Sequence, residues 1–308
     1  MKGLEAARLY CDAYGRQLLE SAGECADRIA FALTGSGSEC LGYDHEVSRD
    51  HDFAPGFQVF LPGEELVDER QEFLLERSYA RLPAEFMGLK RLGPPVRGRR
   101  GVIRAAEFFR DRTGTDDGHL TLEDWCRVPQ YALAEAVNGE VFYDPSGFLT
   151  RIRQSLIRMP EDALRKRLAG QLTLMDQAGM YNYARCLSHG EELAAQWALT
   201  EFCGSAMEAA FLLSGRYMPY YKWASRALGE LKGFEGLPQD IAFLMMNDNA
   251  EEARRLKLSV IHDIARGILD GCAARGRTNE GELSRAAAEV NEGIRDAYLR
   301  TAGMLYAV

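Results

Sequence analysis

Two short stretches combine residue types suited to phosphate chemistry. Leu33-Thr34-Gly35-Ser36-Gly37-Ser38 is a Gly-Ser turn behind an apolar run, and eleven residues later comes Asp50-His51-Asp52-Phe53. Side chains two apart on a strand share a face, so Asp50 and Asp52 would present two carboxylates side by side. Two carboxylates that close repel each other, and a divalent cation resolves the repulsion; oxygen-only ligands suit Mg²⁺. A Gly-Ser turn between a strand and a helix offers free backbone N–H groups and small hydroxyls to phosphate. Together the two stretches describe a site for a metal-bound nucleoside triphosphate. The plainer alternatives are a salt bridge between the aspartates and Arg49 and helix capping by Ser36 and Ser38.

The elements that must position these residues are legible from periodicity. Ala6, Leu9, Tyr10, Ala13, Tyr14 and Leu18 recur at helical spacing, and residues 27–34 form a short apolar run that suits a buried strand. After the Gly-Ser turn, residues 38–46 are expected as one short helix and residues 48–63 as an extended ribbon bent at Pro55-Gly56. A charged helix from Glu64 to about Arg81 follows. Next comes a basic loop from Lys90 to Arg100, read as solvated or as a flap near an anionic substrate. Residues 101–114 pass from strand into helix, and Asn138–Gly147 is a strand closed by Asp-Pro-Ser-Gly. From about Phe148 the strand signals stop. Leu164, Leu168, Leu172 and Met175 mark one helix face, Leu258, Ile261, Ala265 and Ile268 another, and Leu283, Ala287, Val290, Ile294 and Ala297 a third. Residues 191–215 are apolar almost all round, as expected of a central bundle helix. The chain therefore reads as an α+β protein, with an α/β domain over 1–150 and an all-helical domain over 151–308.

The order of apolar strand, Gly-Ser, short helix and Asp-x-Asp resembles the nucleotidyltransferase superfamily of the polymerase-beta type, which includes aminoglycoside adenylyltransferases. The wider run GSGSECLGYDHEVSRDHDFAPGF, with NGEVFYDPSGFLTRIRQSL, YNYAR and YMPYYKW further on, is similar to an uncharacterised bacterial branch of it, a domain-of-unknown-function family. The resemblance spans residues 33–223 and implies a mixed sheet with flanking helices followed by a helical bundle. It also implies that Gly35, Ser36, Gly37 and Ser38 hold a triphosphate, with ATP the expected donor, and that Asp50 and Asp52 bind Mg²⁺. A nucleotidyl group, expected to be adenylyl, would then pass to a hydroxyl of an unidentified small-molecule or protein acceptor. This chain departs from the pattern in two ways. His51 stands between the aspartates where an apolar residue is usual, and no third carboxylate is obvious; Glu107 and Asp144 are the two candidates. In the helical half, Lys222 among Tyr217, Tyr220, Tyr221 and Trp223 could meet a phosphate while a ring stacks on the base. Tyr181, Asn182 and Arg185 are further candidate nucleotide contacts. The alternative for Lys222, Tyr181, Asn182 and Arg185 is packing, capping or solvation, that for Glu107 and Asp144 is an acid elsewhere or none, and that for the whole chain is a nucleotide-binding protein with a degenerate transferase site.

Composition narrows the remaining classes. The chain has 308 residues and a net charge of −9, which argues against nonspecific nucleic-acid binding through clustered Lys and Arg. No run approaches membrane-spanning length and the N-terminus has no apolar signal core, so no membrane and a cytoplasmic address are expected. Seven scattered cysteines without a Cys-x-x-Cys pair are expected as reduced, mostly buried thiols. A homodimer is compatible with the sequence and nothing in it requires one. Asp111–Leu122 fails as a calcium loop, because its sixth position is Asp116 and its twelfth Leu122. His51-Asp52 and His262-Asp263 lack the partners of a metal phosphohydrolase, and Arg185–His189 is too short for the motif of helical ribonuclease toxins.

Overall fold

The computed structural model describes residues 1–45, 54–91 and 98–308. Arg49, Asp50, His51 and Asp52, and the central part of the basic loop, lie outside the described residues. The chain forms two compact units: Met1–Leu120 with Ala132–Arg158, and Thr121–Tyr131 with Met159–Val308.

In the first unit, α1 (Gly3–Ala22) is held at its N-terminus by Asp44, whose Oδ2 accepts from Gly3 N–H at 2.9 Å. A carboxylate there satisfies an orphan amide and complements the positive end of the helix dipole. Strand β1 (Ala30–Leu33) follows, buried at every position, and then β2 (Gln58–Leu61), equally buried. Helix α2 (Glu69–Ala80) starts at a capping box between Asp68 and Gln71, five residues later than its charge pattern predicts. A hairpin of β3 (Glu85–Phe86) and β4 (Leu89–Lys90) precedes β5 (Gly101–Arg104), which runs directly into α3 (Ala105–Thr113). Helix α4 (Leu122–Arg127) belongs to the second unit, and α5 (Gln130–Val137) passes from the second unit back to the first. Strand β6 (Glu140–Tyr143) and α6 (Phe148–Ile157) complete the first unit. The four-stranded sheet has the order β5-β2-β1-β6, with β1 antiparallel to both neighbours and β2 parallel to β5. It is therefore a mixed sheet, flanked by helices, as expected.

Among the described residues between β1 and β2, the expected short helix over 38–46 appears as a 3₁₀ turn, Glu39–Leu41. Gly42 ends it in the left-handed conformation (φ 71°), and the N–H groups of Leu41 and Tyr43 both return to Ser38 O.

The second unit is helical throughout its described residues: α4, α7 (Glu161–Met175), a π-helical turn (Asp176–Asn182), α8 (Tyr183–Ser188), α9 (Glu192–Leu213), α10 (Tyr221–Leu228), α11 (Leu237–Met246), α12 (Glu251–Ala274), α13 (Leu283–Glu292) and α14 (Ala297–Thr301). Helix α9 packs on α7, α8, α10, α11 and α12, which makes it central. Its first turns are open, however, with Leu193 77 % and Trp197 72 % exposed. Helix α7 is more enclosed than its leucine face predicts: Lys166, Arg167 and Gln171 are also buried. The α13 face stops at Val290, since Gly293 ends the helix and Ala297 is exposed at the start of α14. All seven cysteines are free thiols, and Cys186 alone is not buried. Burial pushes Cys11, Cys40 and Cys203 up to about 12, which leaves them protonated and unreactive. No helix among the described residues is long and apolar enough to cross a membrane.

Candidate functional site

The Gly-Ser turn leaves the end of β1 and is clamped by the start of β2 and the end of α5 with the residues after it. Gln58 is fully buried as the first residue of an otherwise apolar strand, and its side chain extends the sheet ladder. Oε1 accepts from Thr34 N–H at 2.8 Å, while Nε2 donates to Thr34 O at 2.9 Å and to Gly98 O at 2.8 Å. Asn138 does the same one residue on: Gly35 N–H donates to its Oδ1 and its Nδ2 donates to Gly35 O, both at 2.9 Å. Thr34 Oγ1 donates to Glu135 O and Asn138 O at the end of α5. Gly139 lets this loop come close, since a Cβ there would stand 1.9 Å from Leu33 O.

With Thr34 and Gly35 secured, the N–H groups of Ser36, Gly37 and Ser38 donate to no acceptor among the described residues. Ser36 is exposed and Gly37 and Ser38 are half-buried. Gly35 and Gly37 have φ of 104° and 152°, so Gly35 holds a conformation that a side chain would strain. The turn is an open row of donors on a rigid base.

Two ion pairs flank it. On the Gly37 side, the Glu39 carboxylate lies against the glycine, and its Oε1 accepts from Arg100 Nη2 at 3.2 Å; both side chains are buried. On the Gly35 side, Arg112 Nε is 3.5 Å from Glu135 Oε2, and the guanidinium is 3.8 Å from the centroid of the Phe108 ring. Burial lowers the Arg112 pKa from its ordinary value, opposed by Glu135, and burial raises the Glu135 carboxyl, opposed by Arg112 and Arg99.

Of the predicted site residues, Gly35, Ser36, Gly37 and Ser38 form this turn, and Asp50 and Asp52 lie outside the described residues. Glu107 sits in the first turn of α3 and not on a strand, because β5 gives way to helix at Ala105. The residues that α3 brings to Gly35 are Phe108 and Arg112. Asp144 follows Tyr143, which pairs with Phe31, whereas Glu140 pairs with Leu33. The antiparallel register thus puts Asp144 at the end of the sheet opposite the Gly-Ser turn, where its Oδ2 accepts from Thr150 N–H at 2.8 Å. Asp144 is therefore not brought to the turn. Arg153 and Arg151 serve carbonyls: Arg153 Nη2 donates to Val137 O and Asn138 O, and Arg151 Nη1 to Ser146 O.

The other predicted contacts belong to the second unit. Lys222 is exposed on α10, its Nζ 5.4 Å from the Trp223 ring centroid. Tyr220 stacks on Tyr221 and Tyr131. Tyr181 and Asn182 end the π-helical turn and Arg185 lies on α8; all three are exposed, with the Arg185 guanidinium 5.6 Å from the Tyr181 ring. Among the described residues no group of three or more His, Cys, Asp and Glu is placed to hold a metal.

The second unit has its own buried polar network. Arg167 Nη1 donates to Trp125 O and Val128 O, Gln171 Nε2 and Gln130 Nε2 both donate to Glu208 Oε2, and Met218 N–H donates to Gln130 Oε1. Burial raises the Glu208 carboxyl above its ordinary value, with Arg167 and then Gln130 opposing. A carboxyl raised on folding contributes stability below its unfolded pKa, and that stability is lost as pH rises through the folded value. Glu208→Gln is therefore expected to unfold at the same or a higher temperature than wild type at pH 8, by up to about 1 kcal/mol. The difference should vanish near pH 4.5; melting curves of both proteins over pH 4.5–8 check it, and a variant less stable at pH 8 would contradict it.

Residues 125–224, roughly a third of the chain, match a family described as Domain of unknown function (DUF4037). The Glu208 network lies within that stretch. No curated protein matches the chain. Among solved structures, a nucleotidyltransferase-like protein from Exiguobacterium sibiricum 255-15 is similar at 9 % identity and a TM-score of 0.38, covering 88 % of this chain and 78 % of its own.

Proposed function

We propose that the protein binds a nucleoside triphosphate at the Gly-Ser turn and transfers its nucleotidyl group, adenylyl from ATP, to a hydroxyl of a small-molecule or protein acceptor. The observation that carries this reading is the row of N–H groups on Ser36, Gly37 and Ser38 that donate to no acceptor among the described residues, held in place by Gln58 and Asn138. An anion with several oxygens is the ligand that such a row accepts. In the reaction, the acceptor oxygen bonds to the α-phosphorus, the bond to the bridging oxygen breaks, and pyrophosphate leaves while the acceptor proton passes to a base. The N–H row would fix the leaving phosphates, so that the α-phosphorus is presented in line. Asp50 and Asp52 are the residues that would hold Mg²⁺. Bound there, the metal would offset charge building on the phosphate oxygens.

A second reading has its own support. The candidate acid Asp144 stands at the end of the sheet opposite the turn, so it supplies no third carboxylate there. A protein of this kind could bind nucleotide without turning it over.

A panel of the four nucleoside triphosphates, with and without Mg²⁺, tests both. A nucleotide at a hundredfold its Kd stabilises the folded state by about 2.7 kcal/mol. The expected result is a Mg²⁺-dependent rise in Tm with one nucleotide, lost in Asp50→Asn/Asp52→Asn. No rise with any nucleotide would sink both readings. A rise without pyrophosphate release on any acceptor mixture would favour the second.

A further inference from the structure

Arg112 lies outside every motif that marks the Gly-Ser site, yet it stands beside the turn. A Cβ on Gly35 would be 2.9 Å from Arg112 Nη2. The side chain is held from three directions: the Phe108 ring under the guanidinium at 3.8 Å, Phe108 O accepting from Nη1 at 3.0 Å, and Glu135 Oε2 at 3.5 Å from Nε. Nη2, the atom nearest Gly35, donates to no acceptor among the described residues. The guanidinium is only 14 % exposed, and its pairing with Glu135 is longer than a good charge-assisted hydrogen bond.

The free donors of Nη2 and those of Ser36, Gly37 and Ser38 border the same turn. A guanidinium fixed by a ring, with one edge unspent, loses little freedom on binding and suits phosphate oxygens. On the other side of the turn the Glu39 carboxylate is occupied by Arg100, so its charge is compensated without Arg112.

We propose that Arg112 is a phosphate-binding residue of this site, with Nη2 donating to the phosphate chain of the nucleotide and Glu135 acting as the internal counterion that the ligand displaces. This rests on the nucleotide reading above, and the test separates the two. Titration calorimetry measures ATP, inorganic tripolyphosphate and adenosine binding to the full-length wild type, Arg112→Gln and Glu135→Gln. Arg112→Gln should weaken ATP and tripolyphosphate by about tenfold or more, the span of a hydrogen bond to a charged group, while leaving adenosine unchanged. Glu135→Gln should tighten tripolyphosphate severalfold, because the competing carboxylate is gone; the gain should be largely lost when Arg112→Gln is added, whereas simple relief of repulsion would persist in the double variant. Wild type that binds ATP, with Arg112→Gln binding it equally well, overturns the role of Arg112 and leaves the nucleotide reading standing. Wild type that binds neither ATP nor tripolyphosphate overturns both. If Arg112→Gln fails to fold, Glu135→Gln decides: tripolyphosphate affinity that is unchanged or weaker overturns the proposal.

Discussion

Gly139→Ala is expected to destabilise the protein by about 3 kcal/mol or more, well beyond the ordinary cost of losing a turn glycine. Two effects add. Gly139 has φ 64°, where an L side chain costs about 1–2 kcal/mol. A methyl group there would also stand 1.9 Å from Leu33 O and 3.0 Å from Thr34 Cα. Both are backbone atoms of the strand and turn that carry the site, so they cannot move aside as a flexible side chain would. The β1–β6 register, or the Asn138 clamp on Gly35, must give way. Gly114→Ala is the control, because Gly114 has φ 80° in the left-handed region with open space around it and isolates the backbone cost. Thermal unfolding of the two variants checks the difference, expected to be about 2–3 °C in Tm or more for a chain of this size. Equal losses would show that the close approach at Gly139 carries no weight. Any nucleotide-induced rise in Tm should shrink in Gly139→Ala and persist in Gly114→Ala, since only the former displaces the turn.

The second large effect is expected at the Glu39–Arg100 pair. Their side chains are 5 % and 7 % exposed, so removing one charge leaves the other buried without its counterion. Arg100→Met or Glu39→Gln alone should each cost about 3–5 kcal/mol, the range for breaking a buried pair. The double variant should recover part of that loss, with a coupling of about 1–3 kcal/mol. Urea unfolding of the four proteins completes the cycle. Additive single losses would mean that the two groups are stabilised separately, for instance by the carbonyl of Arg99, which accepts from Arg100 Nη1 at 2.8 Å. The pair also bears on the site, because the Glu39 carboxylate lies against Gly37. Without Arg100 its charge would repel an anion at the turn.

Local pattern made much of the architecture legible. The apolar run at 27–34, the Asn-Gly and Asp-Pro-Ser-Gly signals around residues 138–147 and the helix faces after Phe148 correspond to β1, β6 and the helical unit. Such features depend on spacing of 2 or 3.6 residues and on turn chemistry, which a few neighbouring residues determine. Less legible was the segment between α3 and β6. Thr121 and Asp124 form a capping box that starts α4, a polar signal that apolar periodicity does not carry. Asp144 shows a different limit: it directly follows a strand in sequence, yet which end of the sheet it occupies depends on the register that the strands adopt.

The sequence by itself determined the α+β class, the division of character between the two halves, the Gly-Ser turn and the free, mostly buried cysteines. Tertiary structure decided what that turn is made of. Asn138 reaches Gly35 across 103 residues, Gln58 reaches Thr34 across 24, and Arg100 reaches Glu39 across 61. Apolar periodicity is a local property, because burial of one face is repeated every turn or every second residue. Pairing of buried amides and charges is not local: each must find its partner wherever the packing of the core brings another loop, and an unpaired one is costly. The turn was visible as a short string of small residues, while the clamp and the counterions that give it a chemistry came into being only when the ends of β1, β2 and α5 met.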